Sequence, residues 1–251
     1  MSTLPTGLLR RPSLTAFDAS CLFLADKLAP KEKPTTEAGL PDPQPGPQTE
    51  FLKSTADIAI FGGAAGGGKT YALLMEAARH RAVRGFGAVL FRRTYPQIVQ
   101  QGGMWDESMT LYPAAGGDPL LGRLIWRWPG GGRISFAHMN AESDKLNYQG
   151  AQIALIGWDQ LEHFSESMFF YMLSRNRSTC GVKPYVRATC NPDADSWLAT
   201  FLAWWIDQDT GYPIPERAGK VRWFVRAGEQ IMWADAPDAL RTAYAEPKSV
   251  T

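Results

Sequence analysis

The stretch Ile58-Ala59-Ile60-Phe61-Gly62-Gly63-Ala64-Ala65-Gly66-Gly67-Gly68-Lys69-Thr70 constrains this chain more than any other. An apolar, β-prone run enters it, and the order Gly63, four residues, Gly68-Lys69-Thr70 completes a phosphate-binding loop. Each residue type has a chemical reason to be there. Small residues let the backbone wrap closely around a polyphosphate with its N–H groups turned inward. Lys69 is placed to reach the terminal phosphates, and the Thr70 hydroxyl to help hold Mg²⁺. A helical pattern from Tyr71 to about Arg84 would bring its positive N-terminal end to the same anion. A glycine-rich surface turn would have neither flank, so Gly63, Ala64, Ala65, Gly66, Gly67, Gly68, Lys69 and Thr70 are read as a nucleotide-binding set.

A chain of 251 residues accommodates one large α/β domain, or one domain with an extension. No apolar run reaches the length of a membrane-spanning helix. Asp18, Asp26 and Lys27 interrupt the apolar residues that follow Arg10 and Arg11, which argues against a secretory signal. Cys21, Cys180 and Cys190 are odd in number and lack metal-ligand spacing, a pattern that favours a reducing compartment. The formal charge of +1 gives no global attraction to nucleic acid, so any DNA contact has to come from local patches.

Residues 1–47 read as an extension. Leu14, Phe17, Cys21, Leu22 and Leu24 form the apolar stripe of one short helix, and Pro30 to Pro47 has linker composition. The main domain is expected over 48–251. Gln48 opens it with an amide that both donates and accepts, as reading an adenine edge requires. Ala88-Val89-Leu90-Phe91 reads as a second buried strand ending in Arg92-Arg93-Thr94, where arginines would face the ligand crevice of an α/β sheet. Gly102-Gly103-Met104-Trp105 reads as a loop. Arg123 to Trp128, then Pro129-Gly130-Gly131-Gly132, then Arg133 to His138 is a hairpin pattern. Its outward Arg123, Arg127 and Arg133 make either a basic ridge or a solvated face.

Ile153 to Trp158 is an apolar run that ends in Asp159. A buried strand there would deliver the carboxylate to the sheet edge, against the Mg²⁺ shell. Ser165 suits a helix N-cap, and Met168, Phe169, Met172 and Leu173 give that helix an apolar face ending at Ser174-Arg175-Asn176-Arg177. Pro184 to Pro192 is a short strand with a polar end. Asp195 or Ser196 would cap a helix through Trp197, Leu198, Phe201, Leu202 and Trp205. Val221 to Val225 and Ile231 to Trp233 are strand-like, and a last helical piece runs from about Pro237 to Tyr244. Strands alternating with helices imply an α/β fold with a mostly parallel central sheet and helices on both faces.

Taken in order, several of these segments resemble the large terminase subunit of tailed bacteriophages and prophages. The carriers are Gly62 to Thr70, Leu90-Phe91-Arg92-Arg93-Thr94-Tyr95, Tyr148-Gln149-Gly150, Ile156-Gly157-Trp158-Asp159, Leu173 to Ser178, and Ala188-Thr189-Cys190-Asn191-Pro192. Many NTPases share the phosphate loop; the ordered set is what points to this family. The resemblance implies a P-loop NTPase of the additional-strand catalytic-glutamate type, the N-terminal ATPase part of the subunit. It also implies a Mg²⁺-ATP-driven motor that moves double-stranded DNA into a capsid. The implied partners are double-stranded DNA, the capsid portal protein and the small terminase subunit. The implied assembly is a homo-oligomeric ring, usually a pentamer, with a single subunit in isolation. No membrane is involved, and the setting is the cytoplasm of the bacterial host. Family members usually continue into a metal-dependent nuclease domain. This sequence stops at Lys248-Ser249-Val250-Thr251, so DNA cutting is not expected of it.

Carried over by position, the resemblance makes Gln48 the adenine reader, Lys69 and Thr70 the phosphate and Mg²⁺ ligands, and Asp159 the metal-shell carboxylate. It makes Ala188 to Asn191 the segment that senses the terminal phosphate and couples hydrolysis to movement. One position departs from the family. The residue after the aspartate is usually a glutamate that orients the attacking water, and here it is Gln160. Glutamine holds a water but cannot take its proton at neutral pH. Either Glu162 does that work, or the site is altered to trap ATP, or Gln160 serves by itself. On an extended chain Glu162 points to the same side, roughly 6–7 Å further along, and a turn at Leu161 would shorten the gap. The family also uses an arginine to stabilise the transferred phosphate, an effect worth about 10³ to 10⁵ in rate in other NTPases. Gln149 stands where some relatives have one, which leaves Arg92, Arg93, Arg175 and Arg177 as candidates. A helicase or recombinase-type ATPase, and an assembly subunit that binds ATP without turning it over, are the alternative readings.

Overall fold

A run that is buried from end to end belongs inside a sheet covered on both faces. Ile58–Gly62 (β1) is such a run, and every one of its residues is buried. The computed structural model describes residues 39–63, 66–191, 193–241 and 246–251. The expected N-terminal helix, the first half of the linker, Ala64, Ala65, Pro192 and residues 242–245 lie outside these.

The remaining strands are Gly87–Arg92 (β2), Asp118–Leu120 (β3), Ile125–Arg127 (β4), Arg133–His138 (β5), Leu155–Trp158 (β6), Tyr185–Cys190 (β7), Arg222–Ala227 (β8), Gln230–Ala234 (β9) and Lys248–Val250 (β10). They form one sheet in the order β3-β4-β5-β2-β6-β7-β1-β10-β8-β9. The block from β5 to β10 is parallel, and antiparallel hairpins flank it on both sides. β7 lies between the phosphate-loop strand β1 and the aspartate strand β6, pairing Ile58 with Val186 on one side and Leu155 with Tyr185 on the other. This interposed strand is the additional strand of the fold class.

The helices are Pro47–Lys53 (α1), Lys69–Ala78 (α2), Tyr95–Val99 (α3), Met104–Leu111 (α4), Glu166–Leu173 (α5) and Trp197–Phe201 (α6). On one face Phe51, Leu73, Ala77, Met104 and Leu111 pack with Trp126 and Phe136. On the other, Met168, Phe169, Met172, Leu198 and Phe201 pack with Ile156 and Trp158. Gly157 leaves room for the Leu90 side chain of the neighbouring strand β2, since a Cβ there would stand 2.2 Å from Leu90 Cδ2.

Several local expectations are corrected. Gly102 to Trp105 is not a loop throughout, because Met104 opens α4, with Gly103 at the N-cap and Asp106 and Glu107 in the first turn, where acids suit the helix dipole. Met104, Ser108 and Leu111 are buried at helical spacing, a period hidden by the glycines in front of it. The loop helix stops at Ala78, short of Arg84, as the Arg79 and Arg81 side chains turn back onto Glu76 and the Ala78 carbonyl. β4 begins only at Ile125, because Leu121–Arg123 is a 3-10 turn and Leu124 is left-handed (φ 52°). Arg123, Arg127 and Arg133 are exposed, and Arg127 pairs with Asp118 at 2.9 Å. Pro237–Ala239 is a 3-10 turn. β10, read from sequence as plain chain end, pairs Val250 with Ile58.

Candidate nucleotide site

Parallel strands end on a common edge, so their C-terminal residues converge. β1 leads into Gly63, β6 into Asp159, β7 into Asn191, and β2 ends at Arg92. The register that sets Gly62 beside Cys190 brings Asn191 level with the start of the phosphate loop.

Gly66 and Gly68 are left-handed, at φ 84° and 67°, a region glycine enters without steric cost. Gly68 caps α2, and a Cβ there would stand 2.4 Å from the Gln48 amide nitrogen. Gln48 is buried; its Nε2 donates to Gly68 O at 3.0 Å and its Oε1 accepts from Gln44 N at 2.9 Å. It thereby braces α1 against the end of the loop. Contact with a base would require these bonds to be exchanged. Lys69 Nζ donates to Gly63 O at 2.8 Å, spanning the two ends of the loop.

Asp159 is 1 % exposed and is surrounded by donors. Thr70 Oγ1 lies 3.0 and 3.2 Å from its two oxygens. Thr189 Oγ1 donates to Oδ1 at 2.6 Å, and Arg92 Nε stands 2.8 Å from Oδ2. Arg92 Nη1 donates in addition to Gln160 Oε1, while the Gln160 amide donates to Thr189 Oγ1 at 3.0 Å. Hard oxygen donors, one hydroxyl and one carboxylate in direct contact, are the set that Mg²⁺ takes, so Thr70 and Asp159 fit that ion.

Gln160 is itself left-handed (φ 61°) and turns the chain into a 3-10 turn at Leu161–His163. Glu162 rides on this turn. It is 9 % exposed, and among the described residues neither carboxylate oxygen has a hydrogen-bond partner of good geometry. Burial pushes its carboxyl above the usual range, while the nearby Asn191 and Glu162 backbone amides pull the other way. Burial also pushes the Cys190 thiol up to about 12, with the Glu162 charge adding to the rise and Lys69 opposing it. Lys69, Cys190 and Glu162 therefore share one electrostatic environment.

Of the candidate arginines, only Arg92 lies at this edge in contact with Asp159. Arg93 donates to Met139 O at 2.9 Å and touches Met168 Sδ. Arg175 stacks 5.1 Å over the Tyr171 ring, and Arg177 donates to Ser174 O at 3.0 Å. Both pair through their backbones with Ile153, ahead of β6 and so at the opposite end of the strands from Asp159. Thr189 was legible only as part of a segment, because its contact with Asp159 depends on β7 lying beside β6.

A family model described as "Terminase large subunit, T4likevirus-type, N-terminal" matches residues 60–246. The chain belongs to this family. No curated protein matches this terminase domain. Among solved structures, the large terminase of a thermophilic bacteriophage matches at 15 % identity and a TM-score of 0.50, over 66 % of this chain and 43 % of that one. The N-terminal domain of the DNA packaging ATPase of bacteriophage phi29 matches at 14 % identity and a TM-score of 0.48, over 68 % of this chain and 96 % of that one. The ATPase domain of the Thermus phage P74-26 large terminase matches at 16 % identity and a TM-score of 0.46, over 62 % and 68 %. The terminase domain thus spans less than half of the first of these proteins, with which it shares a fold.

Proposed function

We propose that residues 48–251 form the Mg²⁺-ATP-dependent motor domain of a DNA-packaging terminase, with residues 1–47 as an extension. ATP hydrolysis at the β1–β6–β7 edge drives double-stranded DNA into a capsid, in the bacterial host cytoplasm. The domain acts within a ring of identical subunits docked on a portal protein, with a small terminase subunit as a further partner. Family membership supports the motor role. The observation that supports hydrolysis, as opposed to binding alone, is the buried carboxylate of Glu162, which has no side-chain counter-charge or well-aligned hydrogen-bond donor among the described residues.

The loop amides from Gly66 to Lys69 and the N-terminus of α2 hold the phosphates. Lys69 exchanges Gly63 O for a terminal phosphate oxygen, and Gln48 meets the base. Thr70 and Asp159 would hold Mg²⁺, which when bound would neutralise charge developing on the phosphates. Glu162 accepts the proton of the attacking water, a role suited by a carboxyl that burial has made more basic. Asn191 hydrogen-bonds to the terminal phosphate and reports its loss to β7. Gln160, engaged with Arg92, stays out of the proton transfer.

Purified Glu162→Gln should lose about 10²- to 10⁴-fold in ATP turnover while still binding nucleotide. Gln160→Ala should lose far less. Full turnover in Glu162→Gln would overturn the assignment.

A further inference from the structure

We propose that Arg92 is a positioning residue that serves as the resident counter-ion of Asp159, and that it must leave this carboxylate before Mg²⁺ can bind. Gln160 is then the holder of Arg92, not of the attacking water. The inference rests on the metal role proposed for Thr70 and Asp159.

A carboxylate as buried as Asp159 needs a cation or several donors. Thr70 and Thr189 supply hydroxyls, and the positive charge comes from Arg92 at 2.8 Å. That ion pair faces Oδ2, one of the two oxygens that Thr70 also touches, so the guanidinium stands beside the atoms a metal would use. Two cations cannot share one buried carboxylate without strong repulsion.

The holder is specific. Gln160 keeps a left-handed backbone (φ 61°, ψ 66°) that side chains with a Cβ rarely adopt, and strain of this kind persists only where the surroundings impose it. Here its N–H is fixed on Thr189 Oγ1 and its side-chain oxygen on Arg92 Nη1. A neutral amide oxygen anchors a guanidinium without adding a second negative charge next to Asp159. A glutamate at 160 would add that charge and trap Arg92 more firmly. Glutamine at this position thus permits release, and a bound polyphosphate offers the released guanidinium new acceptors. Metal and nucleotide are thereby coupled: the site resists bare cations and accepts them when the triphosphate arrives.

The test uses the full chain with Mn²⁺ as the probe, titrated by calorimetry or electron paramagnetic resonance, with and without ADP. Arg92→Met should bind Mn²⁺ without nucleotide at least about tenfold more tightly than the parent, as removal of a competing cation predicts. It should also need less Mn²⁺ to support ADP binding. Gln160→Ala should shift the same way by a smaller factor, and Arg92→Lys should return the metal dependence towards the parent. Unchanged or weaker Mn²⁺ binding in folded Arg92→Met would overturn the proposal. Should that variant not fold, an unchanged Mn²⁺ titration in Gln160→Ala would do so. The readout bypasses hydrolysis, so a full-turnover Glu162→Gln would sink the catalytic assignment while leaving this result standing.

Discussion

Glu76 and Glu162 are glutamates of one small domain, 1 % and 9 % exposed, each beside an element that builds the nucleotide site. Glu76 sits on α2, behind the phosphate loop, where Arg79 Nε donates to it at 3.0 Å and Arg187 Nε stands 3.5 Å away. Arg187 is anchored in turn, with Nη1 on Ala56 O and Nη2 on Ser54 O. Glu162 has no such arginine pair among the described residues. The paired glutamate joins α2 to β7 at the end of the sheet away from the phosphates, fixing the spacing of the two elements that carry Lys69 and Asn191. The unpaired one lies where those elements open. Burial with partners builds a frame; burial without them shifts a carboxyl upward, as the proposed base role of Glu162 requires.

Exchange of each carboxylate should separate the two roles. The largest effect is the turnover lost in Glu162→Gln, and it should come with unchanged or slightly raised thermal stability, because a neutral amide is easier to bury than an unpaired carboxylate. A large fall in melting temperature would erase the distinction from Glu76. Glu76→Ala should do the reverse in kind. It leaves Arg187 buried without its acid, and breaking such a pair costs about 3–5 kcal/mol, readable in denaturant melts. A loss below about 1 kcal/mol, the scale of an exposed pair, would show that the network is not the frame.

A third test uses pH. The folded-state carboxyl of Glu162 is raised above its ordinary value of 4.5, with burial as the main cause. The folded protein therefore holds this proton more tightly than the unfolded chain. Its contribution to stability is complete below the unfolded value and is lost as pH rises through the folded one. Turnover should rise over that same upper window as the base ionises. Glu162→Gln should remove the corresponding part of the stability change; an identical pH profile in parent and variant would place Glu162 in an ordinary solvated setting.

The sequence made some of these parts readable and not others. Gly63 to Thr70 and Ile153 to Asp159 were legible because local chemistry defines them: an apolar strand, then the polar group it delivers. The parallel sheet followed from their alternation with helices. Arg187 and Glu76 gave no sign, because an arginine within an apolar strand and a glutamate within a helix acquire meaning only when β7 and α2 are stacked. Where the Gln160 and Glu162 side chains point was likewise hidden, because it depends on a left-handed turn at Gln160 that no residue pattern announces. β10 was illegible for a different reason. Three residues are too few to show a period, and its polar centre, Ser249, is buried only because Asp57 meets it.

That last contact gives the smallest test and the opposite pH sign. Ser249 N and Oγ both donate to Asp57 Oδ2 at 2.9 Å, and Asp57 N donates back to Ser249 Oγ at 2.8 Å. Lys183 adds an ion pair at 2.7 Å. Burial raises the Asp57 carboxyl, but the Lys183 and Ser249 bonds outweigh it and leave the group below its ordinary value of 3.8. A lowered carboxyl stabilises the fold above its unfolded value and loses that contribution as pH falls, the reverse of Glu162. Ser249→Ala keeps the backbone donor and removes only the hydroxyl, so it should cost about 1–2 kcal/mol near neutral pH. The cost should shrink in acid, where Asp57 is protonated and the hydroxyl has less charge to meet. ATP turnover should stay within about twofold of the parent, since β10 meets β1 at Ile58, the end remote from the loop. A turnover loss as deep as that of Glu162→Gln would mean that the framed end of the sheet and the reactive end are coupled, and that the division between the two glutamates is not one of place.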